Sequence, residues 1–494
     1  MKRLIFLIIS ILAVTPLSAQ SFDELRQGAM AGFRANRDKS QKDYEDFRNA
    51  ANASYAENMR RDWTRREGQP AVPQPKEKEP DVPPVVLPEI ELPEIPDDNE
   101  IPFDEILPVV IDDTPVPIVP LMPLPKPREE EYNIVYYGTP CSVRFDPSKK
   151  FRMADASEDS AADMWTAMSS DVCDNLLADC LSTRDKLALC DWGYFTFLDC
   201  VCSKIYGSGN EAVMLKAFLL SQSGYKIRLA RSKDGAMKLL VSFTDDIYDY
   251  GYFTIGGVRY YLIEKNNENS LYVFEQEFPN EKSLRMSVGS AARFADKASS
   301  ASSLRSKRFP DVAATASLNE NLIGFYNDYP ISCKRNQKFS QWVFYANTQI
   351  SDAVKASIYP VLRKAISGKS QADAANILIN FVQTAFEYKT DEEVWGRERP
   401  FFPEETLYYP YSDCEDRAIL YSRLVRDLMG LKAVLLYYPG HLASAVAFTE
   451  PVTGDYLNVS GTRYLVCDPT YINAPIGKTM PGMDNSGAVV VMLE

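Results

Sequence analysis

An α+β fold is predicted for this 494-residue chain, and three observations predict it. Apolar residues after Cys414 fall at Ala418, Ile419, Tyr421, Leu424, Val425, Leu428 and Met429, which is one face of a helix, and Gly430 ends the run. The residues that follow, 433–438, 443–450 and 462–467, are apolar or β-branched runs broken by Pro-Gly, Thr-Gly and Asp-Pro, so they read as antiparallel strands. The same block then occurs earlier in the chain in degraded form. Segment 206–229 lies over 412–435; further on, Gly235, Val241 and Phe243 fall on Gly440, Val446 and Phe448, and Gly257, Arg259 and Tyr260 on Gly461, Arg463 and Tyr464. The offset drifts only from 206 to 204 across the three stretches, so a duplication is expected.

Taken in order, residues 1–19 read as a secretory signal: Lys2 and Arg3, a mostly apolar run from Leu4 to Val14, and Leu17-Ser18-Ala19 as a small-residue cleavage site. The product is therefore expected in the periplasm or secreted. Residues 20–68 carry aromatics at Phe22, Phe33, Tyr44 and Tyr55, an 11-residue period that makes a nearly straight stripe on a long charged helix. That helix is read as lying against its own protein or a sister chain, which leaves self-association through it open. Residues 69–130 form a Pro-rich linker, since 70–127 hold 17 of the 32 prolines; this composition is expected to run as extended polyproline II or disordered spacer and to separate the helix from everything catalytic. Residues 131–290 are the first, degenerate copy, with strand sequence at 132–145 and helical sequence at 155–205. Residues 291–318, rich in Ser, Ala, Lys and Arg, read as the connection, and 319–494 as the second copy.

The formal charge is −14 and becomes more negative when Lys2 and Arg3 leave with the signal, which disfavours nucleic acid and anionic membranes as partners. No later stretch is apolar enough for a transmembrane span. The cysteine count is nine, so at least one thiol stays free in an oxidising compartment. Cys173, Cys180, Cys190, Cys200 and Cys202 match no zinc spacing and are read as core residues with room for one disulfide.

The chain has a single histidine, His441, midway between Cys414 and Asp468. A thiol, an imidazole and a carboxylate in this order form a nucleophilic triad in which Cys attacks, His takes its proton and Asp orients the His. Cys414 opens the helix, where free N–H groups and the dipole favour a thiolate; His441 begins one strand and Asp468 ends another. Asp413, Glu415 and Asp416 oppose the thiolate but suit a helix N-terminus, with Asp413 or Ser412 as its cap. The segments Ser412-Asp413-Cys414-Glu415-Asp416-Arg417-Ala418, Pro439-Gly440-His441-Leu442-Ala443 and Val466-Cys467-Asp468-Pro469-Thr470-Tyr471 together resemble the transglutaminase-like superfamily.

That resemblance implies a papain-like transglutaminase fold and a cysteine peptidase or amidase acting on a protein or peptide substrate, with catalytic residues Cys414, His441 and Asp468. A cross-linking transglutaminase and a non-catalytic cell-envelope binding or scaffold protein are the alternatives. No cofactor is expected. In some bacterial relatives acids beside the Cys bind calcium, and here that reading stands behind capping and solvated charge. The loop 390–412, with Trp395, Glu405, Tyr408 and Tyr409, lies where the superfamily places its oxyanion-hole side chain. In the first copy, Ser208, Ala236 and Glu264 fall on the triad positions, and a copy with Ala in place of the imidazole cannot transfer the proton.

Overall fold

A computed structural model describes residues 19–74, 97–109, 117, 128–264 and 268–494, with side chains from residue 39 onward. The expected signal segment, apart from Ala19, lies outside the described residues. Helix accounts for 38% and strand for 25%, the mixture an α+β protein requires, and most strands gather into a six-stranded and a seven-stranded curled sheet, with two-stranded pairs beside them.

Each sheet follows a helix. Helix Asn210–Gln222 precedes strands Ile227–Arg231, Met237–Ser242, Tyr252–Ile255, Val258–Leu262 and Ser270–Val273. Helix Cys414–Met429 precedes Lys432–Tyr438, His441–Ala447, Asp455–Val459, Thr462–Cys467 and Val489–Met492. When the strands after each helix are counted in chain order, both sheets run fifth, first, second, fourth, third. The registers coincide as well. Ile227 pairs with Val241 as Ala433 pairs with Val446, and Val258 pairs with Ile255 as Thr462 pairs with Val459. These are the positions related by the sequence offsets of 206, 205 and 204.

The strand Lys432–Tyr438 explains why a near-continuous apolar run is a strand here rather than a helix. Ala433, Leu435 and Tyr437 face the main core, while Val434, Leu436 and Tyr438 face a second cluster on the outer side of the sheet, so both faces are buried. The main core is continuous through both halves, from Tyr55 and Trp165 to Leu435 and Val491. The half boundary is therefore not a gap. Strand Ser332–Lys334 pairs with Asp245–Ile247 of the first half, while helix Gln341–Asn347 packs on the Cys414 helix of the second.

Three segments differ from the sequence reading. The N-terminal helix runs Ala19–Met59 and stops well before residue 68, because Thr64–Glu67 pair with Ser270–Val273 as an edge strand. From residue 44 the helix lies on its own first half. Arg48 makes a two-pronged pair with Asp174 at 2.8 and 2.7 Å, Asn52 bonds Gln222 and Trp165, and Tyr55 packs among Trp165, Phe274 and Phe278. The side chains of Phe22 and Phe33 lie outside the described residues.

The Pro-rich linker is also not only a spacer. Asn99–Glu100 pair with Asp455–Tyr456 at one edge of the second sheet, and Glu105–Leu107 pair with Val489–Val491 at the opposite edge. Between them Ile101 is buried and Phe103 packs on the outer apolar cluster, so residues 98–107 strap that face. Asp98 holds Arg463 at 2.7 and 3.0 Å where the strap begins. Extended chain with free N–H groups between prolines can complete a sheet edge. Residues 291–318 likewise do more than connect: Ser302–Arg305 and Ala313–Ala316 form a hairpin packed on helices Gln371–Ala385 and Asp352–Ile366.

Candidate active site

The local sequence places the three candidate residues on adjacent elements. Cys414 is the first residue of its helix, with Asp413 as N-cap and Gly430, at φ 66°, closing the far end in the left-handed conformation that glycine favours. Asp416 holds this start in place by accepting the N–H of Asp413 at 3.4 Å and of Phe401 at 2.8 Å. His441 opens the strand that packs against this helix, and Asp468 immediately follows the strand Thr462–Cys467, which pairs directly with it.

The imidazole and the carboxylate meet. His441 Nε2 lies 2.9 Å from Asp468 Oδ2. The other carboxylate oxygen, Oδ1, accepts the backbone N–H groups of Thr470 and Tyr471 at 2.8 and 3.2 Å, so the carboxylate is held by its own loop. His441 Nδ1 is buried and has no hydrogen-bond partner. The Cys414 thiol is not on it: Sγ donates to Glu415 Oε2 at 3.1 Å and receives the N–H of Leu442, the residue after His441. Two members of the expected triad are therefore hydrogen-bonded, and the third lies beside them with its proton directed to a different acceptor. All three are buried.

The electrostatics around the thiol are set by carboxyl groups. Burial, then the charge of Asp413, pushes the Cys414 thiol above its usual range. Burial and repulsion by neighbouring acids also raise Glu415 and Asp416, burial alone pushes Asp413 up to about 6, and burial pushes Asp391 up to about 10 with Asp413 and Glu398 as the charged causes. Such a crowd of acids stays protonated or takes up a cation. Asp391, Glu398 and Glu415 each present an oxygen within 4.8 Å of the others, and Asp413 Oδ1 is buried with no partner. An all-oxygen donor set suits a hard divalent ion such as calcium.

Asp391 and Glu398 went unnoticed in the sequence because they lie well upstream of Cys414, Asp391 at the start of the short helix Asp391–Trp395 and Glu398 in the irregular chain after it. Their only signal was acidity close to an Asp-Cys-Glu-Asp string. Tyr388 was missed for the same reason. Its strand pairs with Tyr411–Ser412, just before Cys414, and burial together with Cys414, Asp413 and Glu415 keeps its phenol protonated. Glu405 serves inside the protein instead, as the partner of Arg399 at 2.5 Å.

In the first half, Ser208 is exposed in the turn before its helix, and the first helical residue is Asn210. Asn210 Oδ1 accepts the N–H of Met237 at 2.9 Å, as Cys414 Sγ accepts that of Leu442, and its Nδ2 donates to Gly235 O. The place that Cys414 takes at the head of its helix is thus taken here by Asn210 and not Ser208, because this helix starts two residues later relative to its closing glycine. Glu264 pairs with Lys238 at 2.5 Å. All nine cysteines are free thiols, including the five in the helical cluster, which are buried or half-buried as small apolar side chains. Among the described residues no helix is long and apolar enough to cross a membrane.

No protein-family model matches this chain, and no curated protein matches it in sequence.

Proposed function

We propose that this protein is a periplasmic or secreted acyl-transfer enzyme of the transglutaminase-like kind, a cysteine peptidase or amidase acting on a protein or peptide substrate. The observation that carries the reading is the His441–Asp468 pair with Nδ1 left over, beside a cysteine at a helix start. Asp468 accepts from Nε2–H, which leaves Nδ1 as the basic nitrogen. The thiol proton passes from Sγ to Nδ1 and the thiolate attacks the carbonyl carbon. The Cys414 N–H, which has no acceptor within its own helix, is available to the oxyanion. The C–N bond breaks as the imidazolium protonates the leaving amine, giving a thioester. Water then adds, a carboxylic acid leaves and the thiol is restored. An amine in place of water would make the alternative, a cross-linking transglutaminase.

The Glu415 contact defines a resting state in which the thiol is turned away from its base. Asp391, Glu398 and Glu415 fit calcium, which would supply positive charge where the acids crowd. Glu415 held in that set has less hold on Sγ. The shared strand order and register support reading the first half as a duplicated, papain-like fold whose site is closed by Asn210, Ala236 and Glu264. A non-catalytic envelope scaffold remains the reading from another class.

The test is iodoacetamide labelling at neutral pH, with and without calcium, read peptide by peptide. Cys414 should react faster than Cys333 when calcium is present, and His441→Ala should slow it, since thiolate fraction sets the rate. Equal rates at Cys414 and Cys333 under both conditions would sink the enzyme reading. Substrate turnover that requires a primary amine would replace hydrolysis by transfer.

A further inference from the structure

The strand that leads to Asp468 stops one residue before it, so the carboxylate rides on an irregular loop, and an irregular loop needs something to hold it. Helix Gln371–Ala385 supplies that from behind. Gln383, buried on this helix, spreads its carboxamide N–H groups over the backbone carbonyls of Asp468, Tyr471 and Ala474 at 3.3, 2.8 and 3.1 Å. Its Oε1 accepts the N–H of Asn473 at 3.2 Å. One side chain therefore ties four points of a seven-residue turn, including the carbonyl of the residue that orients the imidazole.

The same residue is linked to the nucleophile. Arg417, fully buried, donates from Nη1 to the Gln383 carbonyl at 3.3 Å and from Nη2 to the Phe386 carbonyl at 3.1 Å. Its Nε donates to Ser412 Oγ at 3.1 Å, two residues before Cys414. The end of one helix is thus joined through its side chain to the Asp468 loop and through its backbone to the segment that delivers the thiol.

We infer that Gln383 is a positioning residue that fixes Asp468, and through it the orientation and tautomer of His441, relative to Cys414. The inference rests on the enzyme reading above. Four hydrogen bonds from one buried amide locate the loop more tightly than packing alone, because each carbonyl left without its donor loses a specific direction as well as energy. Neither its position on an apolar helix nor its residue type marks Gln383 as part of a site; only the placement of the loop does.

The experiment measures the pH–rate profile of Cys414 alkylation in the folded full-length protein with calcium present, together with the thermal midpoint. Wild type should react on a plateau extending below the thiol's own titration, the mark of a thiolate paired with an imidazolium. Gln383→Leu keeps the bulk and removes the donors. It should lower that plateau by on the order of tenfold to a hundredfold, the cost of a misplacement of about 1 Å, and bring the profile towards that of His441→Ala. Gln383→Glu gives a second reading should Leu fail to fold. As a neutral acid it still donates one proton, and once ionised it offers only acceptors to three carbonyls and adds charge near Asp468 and Arg417. Its reactivity should therefore fall as pH rises, beyond any change in wild type. Thr384→Val, altering a hydroxyl that bonds Lys307 N–H and the Asn380 carbonyl, serves as the control and should leave the profile in place. Gln383 variants with a lower midpoint but the wild-type profile would overturn the inference and leave the enzyme reading standing. A wild-type Cys414 no more reactive than Cys333 would remove the enzyme reading itself.

Discussion

Stability should fall as pH rises through neutrality, and the carboxyl cluster around Cys414 sets the size of the fall. In the unfolded chain Asp391 and Asp413 ionise near the ordinary aspartate value, 3.8, whereas in the folded protein they hold their protons to about 10 and about 6. Between those values the native state binds more protons than the unfolded one, so the slope of stability against pH is negative. Each retained proton costs about 1.4 kcal/mol per pH unit. Both groups act from pH 4 to 6, and Asp391 continues alone to higher pH. From pH 6 to 8 the loss through Asp391 is therefore about 3 kcal/mol, with Glu415 and Asp416, also raised, acting in the same sense. The assay is urea denaturation at half-unit steps from pH 5 to 8 in the presence of a chelator, repeated with calcium and with Asp413→Asn. Calcium should flatten the curve by replacing the protons. Asp413→Asn should reduce the slope below pH 6 and, because the charge of Asp413 is among the causes that raise Asp391, Glu415 and Asp416, make it shallower above pH 6 as well. A chelated protein whose stability is level or rising from pH 6 to 8 would refute the argument that these acids are crowded and uncompensated.

Three further outcomes are expected. Ile101→Ala removes a buried side chain from the strap and should cost about 2–5 kcal/mol, read as a lower denaturation midpoint, although the residue lies in a Pro-rich segment. Gly454→Ala should destabilise strongly, read as a lower denaturation midpoint: at φ 139° a Cβ would sit 2.5 Å from the Cα and 2.7 Å from the carbonyl oxygen of Gly477, both backbone atoms. Tyr55→Ala should cost about 3–5 kcal/mol by opening a hole between Trp165, Phe274 and Phe278, and limited proteolysis should then cut within 40–60 faster than in wild type.

What could be read in the chain divides along a physical line. The Cys414 helix and its glycine stop, the strands bearing His441 and preceding Asp468, and the offsets relating the halves were all written in local periodicity, and periodicity survives folding. Ser208 was set against Cys414 although the helix begins at Asn210, because glycines and apolar residues fix a helix's body and end but not its first turn, where two residues can be lost without disturbing the pattern. Asp391, Glu398 and Gln383 were invisible for a different reason: their significance comes from loops that arrive beside Cys414 and Asp468 only in three dimensions. Strands Asp455–Val459 and Val489–Met492 were not picked out, the first being short and polar and the second lying near the chain end without a turn signal.

The strap also bears on how the chain can be divided. Taken alone, residues 319–494 would expose the backbone edges of Asp455–Val459 and Val489–Met492, together with an apolar face carrying Val434, Leu436 and Val490. Unpaired edges beside uncovered apolar surface are templates for association with other chains. The half that looks most like a self-sufficient enzyme is therefore the one least able to stand alone, and its covering was synthesised more than 300 residues before the strands it closes. During synthesis that segment must wait for its partners, so the second sheet cannot be closed until the strand Val489–Met492 has emerged.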